Sequence, residues 1–120
     1  MKVLFIGGTG TISTACTALA AERGIELTLL NRGQRSAQLP AGVEVLTGDI
    51  NEDRAGVAAQ LDGRCFDVVV DWIAFTPDQV ERDIEIFSGR IGQYIFISSA
   101  SAYQKPITHH HITEATPLAN

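Results

Sequence analysis

At 120 residues and 45% hydrophobic composition, the chain is large enough to bury the core of one domain without a metal or disulfide to hold it. Its formal charge of −5, with only nine scattered Lys and Arg, argues against a broad nucleic-acid surface, which needs clustered cations. No apolar run approaches the ~20 residues of a membrane span, and "MKVLFIGG" is too short and glycine-rich for a secretory signal. A cytoplasmic location follows, in which Cys16 and Cys65 stay thiols.

In chain order, the first apolar run predicts a strand over Val3–Ile6, followed by a glycine loop and a helix from about Gly10 to Arg23. Ile12, Cys16 and Leu19, at i, i+4 and i+7, are the face that helix should turn to a sheet, and Gly24 suits its C′ position. A strand over Glu26–Leu30 leads into "NRGQRSAQLPAG", a loop with room for one helical turn. Val43–Leu46 reads as a third strand. Asn51 to Leu61 reads as a weaker helix with Asn51 as cap, Val57 and Leu61 on one face and Gly63 at its end. Asp67–Val70 is the fourth strand.

"FTPDQVERDIEIFSG" carries the best helix signature: Thr76 as N-cap, Pro77 in the first turn, Gln79 at N3 of a capping box, and a stripe of Val80, Ile84 and Phe87. Tyr94–Ile97 is the fifth strand. "FDVVVDW" and "YIFIS" hold hardly any polar residues, so both should be central and covered. Strand-length apolar runs alternating with helices describe an α/β domain, a parallel sheet of about five strands between two helical layers, forming one unit over residues 1–120.

"KVLFIGGTGTIS" places Gly7, Gly8 and Gly10 between a strand and a helix. That context binds phosphate, because unpaired N–H groups and the aligned peptide dipoles at a helix start attract an anion. Side chains at the glycines would block the turn or hold a diphosphate away from those donors; a tight turn without a ligand is the plainer alternative. The spacing Gly7-x-x-Gly10-x-x-Ser13 differs from G-x-G-x-x-G, and Ser13 stands where a glycine usually lets helix and strand approach. No Gly-Lys-Ser/Thr follows, which excludes a Walker loop.

With "GDI" at Gly48–Ile50 and "YIFISSASAYQ" at Tyr94–Gln104, the opening "VLFIGGTGTIS" resembles the extended or atypical short-chain dehydrogenase/reductases, the NAD-dependent epimerase/dehydratase family. "NRG" at Asn31–Gly33 and the stretch from Leu39-Pro40 to Asp49 are most similar to the branch containing the chloroplast stem-loop-binding proteins. The resemblance covers essentially the whole chain and implies a Rossmann-like domain that binds NAD or NADP. It also implies cofactor contacts by Gly7, Gly10, Thr11 and Ile12, with Asp49 accepting from the adenine amino group and Ile50 beside the ring. Asp49 also suits a turn or helix cap.

A carboxylate ending the second strand would select NAD; here stand Asn31 and Arg32. Arg32, with Arg35 behind it, suits a 2′-phosphate and favours NADP, while a solvated Arg32 and an Asn31 bonded to the ribose of NAD remain the alternative. Ala74 matches the small residues the family sets against the cofactor after its fourth strand. Trp72 and Phe75 depart from that habit, and either shape the pocket wall or pack on the third helix.

Ser99 matches the family serine that bonds the reacting oxygen, a role suited to a hydroxyl because it both donates and accepts; a merely serine-rich strand end is the alternative. Ser98 and Ser101 are less well placed. Tyr103 is not the family's acid, since Ile107 occupies the lysine position of Tyr-x-x-x-Lys and Pro106 is hostile to a helix. That motif usually lies beyond the serine by more than the residues left here. The resemblance therefore implies the N-terminal portion of a longer oxidoreductase or epimerase, with the last strands and the small-molecule substrate lobe outside the 120 residues.

Such a portion should be inactive alone and should leave its fifth strand as an unpaired edge open to self-association. A non-catalytic dinucleotide sensor or RNA-associated protein of the same fold is the rival reading. His109, His110 and His111 are adjacent in a polar loop with no further ligand at metal spacing, so no metal site is expected.

Overall fold

The computed structural model describes residues 1–33, 39–99, 102–104, 106 and 111–118. Strands β1 (Lys2–Ile6), β2 (Glu26–Asn31), β3 (Glu44–Thr47), β4 (Val68–Asp71) and β5 (Gln93–Phe96) form one parallel sheet in the order β3-β2-β1-β4-β5. Helices α1 (Ser13–Glu22), α2 (Arg54–Leu61) and α3 (Pro77–Phe87) link β1 to β2, β3 to β4 and β4 to β5. Each expected strand lies within one residue of its observed bounds. The chain reverses direction across the sheet between β1 and β4, and at such a switch point an open parallel sheet leaves a crevice beyond its carboxyl edge.

Alternation along β1 divides the core. Leu4 and Ile6 join Leu30, Val57, Leu61 and Val69 on one face, under α2 and α3, while Val3 and Phe5 join Leu27, Leu29, Val70 and Ala20 on the face covered by α1. Side chains as fully buried as Leu4, Ile6, Leu29 and Val69 each contribute about 1.5–3 kcal/mol. In the register Ile6 pairs with both Leu30 and Asp71, so β1, β2 and β4 end at one level. The loops that follow these three strands therefore face the same space.

Four expectations need correction. Helix α1 starts at Ser13 and buries Ser13, Thr17 and Ala20, leaving Ile12 and Leu19 68% and 46% exposed. Its approach to the glycine loop leaves space only for small side chains, so the inward stripe runs one residue after the apolar one. Helix α2 starts at Arg54, where the Asp53 carboxylate accepts from the Gly56 amide (3.1 Å); Asn51 is drawn instead into a turn and into contact with α3. Val57 and Leu61 do share the buried face, and Gly24 and Gly63 take the expected left-handed conformation after their helices.

In α3 the inward face holds Arg82, Asp83, Ile86 and Phe87, with Ile84 turned outward, because a polar network beneath the helix needs the charged pair. The side-chain half of its capping box is present, Gln79 Oε1 accepting from the amides of Phe75 (2.6 Å) and Thr76 (3.2 Å). Strand β4 is central and covered. By contrast β5 pairs only with β4 among the described residues and leaves Ile95 and Phe96 exposed, so it is not covered as its apolar composition suggested but is the sheet edge that the resemblance implied.

Candidate functional site

At the carboxyl edge, a cleft of about 600 Å³ is lined by the residues that follow each strand: Gly7 to Ser13 after β1, Asn31 to Gly33 after β2, Gly48 to Ile50 after β3, Trp72 and Ile73 after β4, and Ile97 after β5. Hydrogen bonds continue the ladder into these loops. The amides of Gly7, Gly48 and Trp72 donate to the carbonyls of Leu30 (2.8 Å), Asn31 (2.8 Å) and Ile6 (3.0 Å). The floor of the cleft is thus the rigid end of the sheet.

Gly7 and Gly8 have φ of +93° and +120°, a region that L side chains rarely enter. At Gly8 the packing is also decisive, because a Cβ there would stand 2.7 Å from Leu29 Cδ2 and 3.3 Å from Thr17 Oγ1. Thr17, 2% exposed, donates its hydroxyl to the Gly8 carbonyl (2.9 Å) and fastens the loop to α1. Sequence reasoning passed over Thr17, although Ser13, Thr17 and Ala20 form a small-residue stripe at i, i+4 and i+7. Ser13 answers for the missing glycine: buried at 2% exposure, its Oγ accepts from the Gly10 amide (3.0 Å).

Gly10 differs. Its φ is not positive, and a Cβ would meet only Ser13 Oγ at 3.4 Å, an ordinary contact. The fold therefore does not require glycine there. Among the described residues no acceptor meets the amides of Thr9, Thr11 and Ile12, while those of Gly7 and Gly10 are occupied by the protein itself. Donors left open in front of a helix are suited to an anion. Gly10→Ala should accordingly change stability by less than about 1 kcal/mol yet weaken dinucleotide binding at least about tenfold, since a methyl group would hold a diphosphate off the backbone. Calorimetric titration beside urea unfolding checks both, and unaltered affinity would remove the loop from the site.

No family model matches the chain. The chloroplast stem-loop binding protein of 41 kDa b from Arabidopsis thaliana is 31% identical over 117 residues, spanning 87% of this chain and 30% of the relative. A crystal structure of UDP-glucose 4-epimerase superposes with a TM-score of 0.80 at 17% identity, covering 99% of this chain and 41% of that one. That of dTDP-glucose 4,6-dehydratase from Bacillus anthracis, in complex with NAD, gives 0.73 at 17% identity, covering 99% and 44%. The fold is that of epimerase and dehydratase N-terminal domains.

The family resemblance read from sequence is thus met at the level of fold, and the chain spans less than half the length of these relatives. On this epimerase-type fold, Gly7, Gly10, Thr11, Ile12, Asn31, Arg32, Asp49 and Ile50 come together around one cleft. Ala74 and Ser99 do not line it. Ala74 is buried, its amide donating to Asp71 Oδ1 (2.8 Å), and Trp72 and Ile73 form the wall instead. Ser99 is exposed three residues past β5, its carbonyl accepting from Ala102 (3.0 Å). Arg35, Ser101, His109 and His110 lie outside the described residues; His111 is exposed. Among the described residues no cluster could hold a metal ion, and no helix is long and apolar enough to cross a membrane.

Asp49 Oδ1 accepts from the amides of Asn51 (2.9 Å) and Glu52 (3.2 Å), the turn role considered from sequence, while its second oxygen has no partner among the described residues. Asn31 Oδ1 accepts from the Gly33 amide (3.0 Å), and Arg32 is exposed with no carboxylate among the described residues at ion-pair distance. Asp71, at the end of β4, was also overlooked. It is fully buried, Oδ1 accepting from Ile73 and Ala74 (both 2.8 Å), so it shapes the loop behind the cleft. A carboxylate closing the run "VVVD" was the available signal.

Beneath that loop lies a buried network. Arg82 donates to Asp71 Oδ2 (3.4 Å), to Asp83 Oδ1 (3.1 and 3.2 Å) and to Asn51 Oδ1, and Tyr94 donates its hydroxyl to Asp83 Oδ2 (2.6 Å). Burial, and then the neighbouring Asp71 carboxyl, push Asp83 up to about 7 against the opposing pull of Tyr94 and Arg82. Burial and the Asp83 carboxylate raise the Tyr94 phenol. That phenol is not among the residues lining the cleft and is engaged by Asp83.

Proposed function

We propose that this chain is the dinucleotide-binding part of an NAD(P)-dependent epimerase, dehydratase or reductase acting on a sugar nucleotide or similar hydroxy or keto substrate. One observation carries it. The loop presents open amides at Thr9, Thr11 and Ile12 beside a Gly10 that the fold has no reason of its own to keep. NAD in the B. anthracis dehydratase structure, whose fold the chain shares, supports the same reading.

In this reading the loop amides grip the diphosphate, the open oxygen of Asp49 meets the adenine amino group, and Ile50 closes the floor. Nicotinamide supplies the hydride acceptor or donor when bound. Ser99, by its match to the family serine, is the residue that would orient the substrate oxygen. The Asn31 carbonyl oxygen is partly engaged by the Gly33 amide, its NH2 group is open to the ribose end, and Arg32 adds a cation with no ion-pair partner among the described residues. A cation and an amide where no carboxylate stands suit a 2′-phosphate better than two hydroxyls.

Parallel calorimetric titrations with NADP and NAD should show tighter binding of NADP, and Arg32→Ala should reduce that preference about tenfold, the worth of one charge-assisted contact. NAD bound as well as NADP by the unaltered chain would end Arg32's role. The rival reading, a sensor or RNA-associated protein of the same fold, draws on the similarity to the Arabidopsis protein. The charge of −5 opposes it, and stem-loop RNA retained at physiological salt would favour it.

A further inference from the structure

We infer that Arg82, which does not touch the cleft, is the positioning residue that fixes one wall of the cleft against another. The inference rests on the dinucleotide reading of that cleft. The adenine-side wall, Asp49 and Ile50, follows β3, whereas Trp72 and Ile73 follow β4. In the order β3-β2-β1-β4-β5 these strands are not neighbours, so no ladder bond sets the spacing between their loops.

Arg82 supplies that link from α3. One branch of its guanidinium donates to Asn51, in the turn that Asp49 closes, and another reaches Asp71 Oδ2 (3.4 Å), while Asp71 Oδ1 holds the amides of Ile73 and Ala74 (2.8 Å each). Asp83 completes the fork by accepting from Nε and Nη2 and is itself anchored by Tyr94 on β5. Gln79 runs a weaker parallel line, its amide nitrogen reaching Asn51 (3.3 Å) and its oxygen taking the Phe75 amide (2.6 Å). A planar group with donors in several directions is needed to serve Asn51, Asp71 and Asp83 at once; an ammonium on a flexible stem cannot hold all three.

Trp72 makes the arrangement visible. It is the only tryptophan in the chain, it sits in the loop that Asp71 holds, and its ring meets Phe5 edge-on with centroids 5.4 Å apart. Its fluorescence therefore reports where that loop lies. Arg82→Lys and Asn51→Ala are compared with the unaltered chain for thermal unfolding, Trp72 emission, and affinity for NADP and NAD. Asn51 is an exposed turn residue, so Asn51→Ala should fold with a midpoint within about 4 °C of the parent.

Both variants should bind the dinucleotide about five- to tenfold more weakly, and Arg82→Lys should shift the emission of the folded, ligand-free chain. Should Arg82→Lys fail to fold, Asn51→Ala decides alone. Unchanged affinity in a folded Asn51→Ala variant overturns the inference while leaving the dinucleotide reading intact. If the unaltered chain binds neither NADP nor NAD, that reading fails first, and an unshifted Trp72 emission in Arg82→Lys, or in Asn51→Ala should Arg82→Lys not fold, would then dispose of the positioning role as well.

Discussion

Gly8→Ala should cost about 2–6 kcal/mol of folding stability, a large fraction of what a domain of this size has. Two penalties add. With φ at +120° an L residue is strained by about 1–3 kcal/mol, and the new methyl group would sit 2.7 Å from Leu29 Cδ2. Leu29 is fully buried between β1 and β3 and cannot swing aside, so overpacking contributes about 1–3 kcal/mol more. Urea unfolding reads the loss as a lower midpoint with an unchanged slope. The comparison with Gly10→Ala matters most, because two glycines two residues apart should answer to different masters: Gly8 to the fold, Gly10 to a ligand. Equal stability of Gly8→Ala and the parent would mean that helix and strand do not meet at that point.

The second large effect is a loss of stability as pH rises. Asp83 keeps its proton in the folded chain up to about pH 7, against an ordinary carboxyl value of 3.8. Between those limits the folded state binds more protons than the unfolded one, so each unit of rising pH removes up to about 1.4 kcal/mol. The contribution is whole below about pH 4, declines across the window and levels off above pH 7, giving a total of a few kcal/mol. The charges facing Asp83 are Asp71 from β4, Arg82 from its own helix and the Tyr94 hydroxyl from β5, and only Arg82 is a cation. Asp83→Asn, which keeps the shape of the protonated acid, should flatten the stability profile between about pH 4 and 7 and leave stability nearly unchanged below about pH 4. The same slope in parent and variant would show that another group titrates.

Much of the cleft was legible before any coordinates. Gly7, Gly10, Asn31, Arg32, Asp49 and Ile50 all carry their signal within a few residues of a strand end, and a parallel sheet brings every strand end to one edge. Ser99 and Ala74 were reached by likeness to a motif rather than by geometry, and they are the two that stand outside the cleft lining. The inward faces of α1 and α3 were misread for a common reason. Hydrophobic periodicity finds the face rich in apolar side chains, whereas α1 needs small ones against Gly8 and α3 needs Arg82 and Asp83 over a buried carboxylate.

Strand positions, helix ends and the phosphate-type loop arise from contacts between residues close along the chain, where turn chemistry and period-two or period-3.6 patterning leave a local record. The fastening of Gly8 by Thr17 and the joining of Asn51, Asp71, Asp83 and Tyr94 through Arg82 leave no such record. Each depends on groups from separate elements meeting in space. Only packing the helices onto the sheet decides which polar side chains are buried together, and burial is what turns an ordinary aspartate into a proton-holding one.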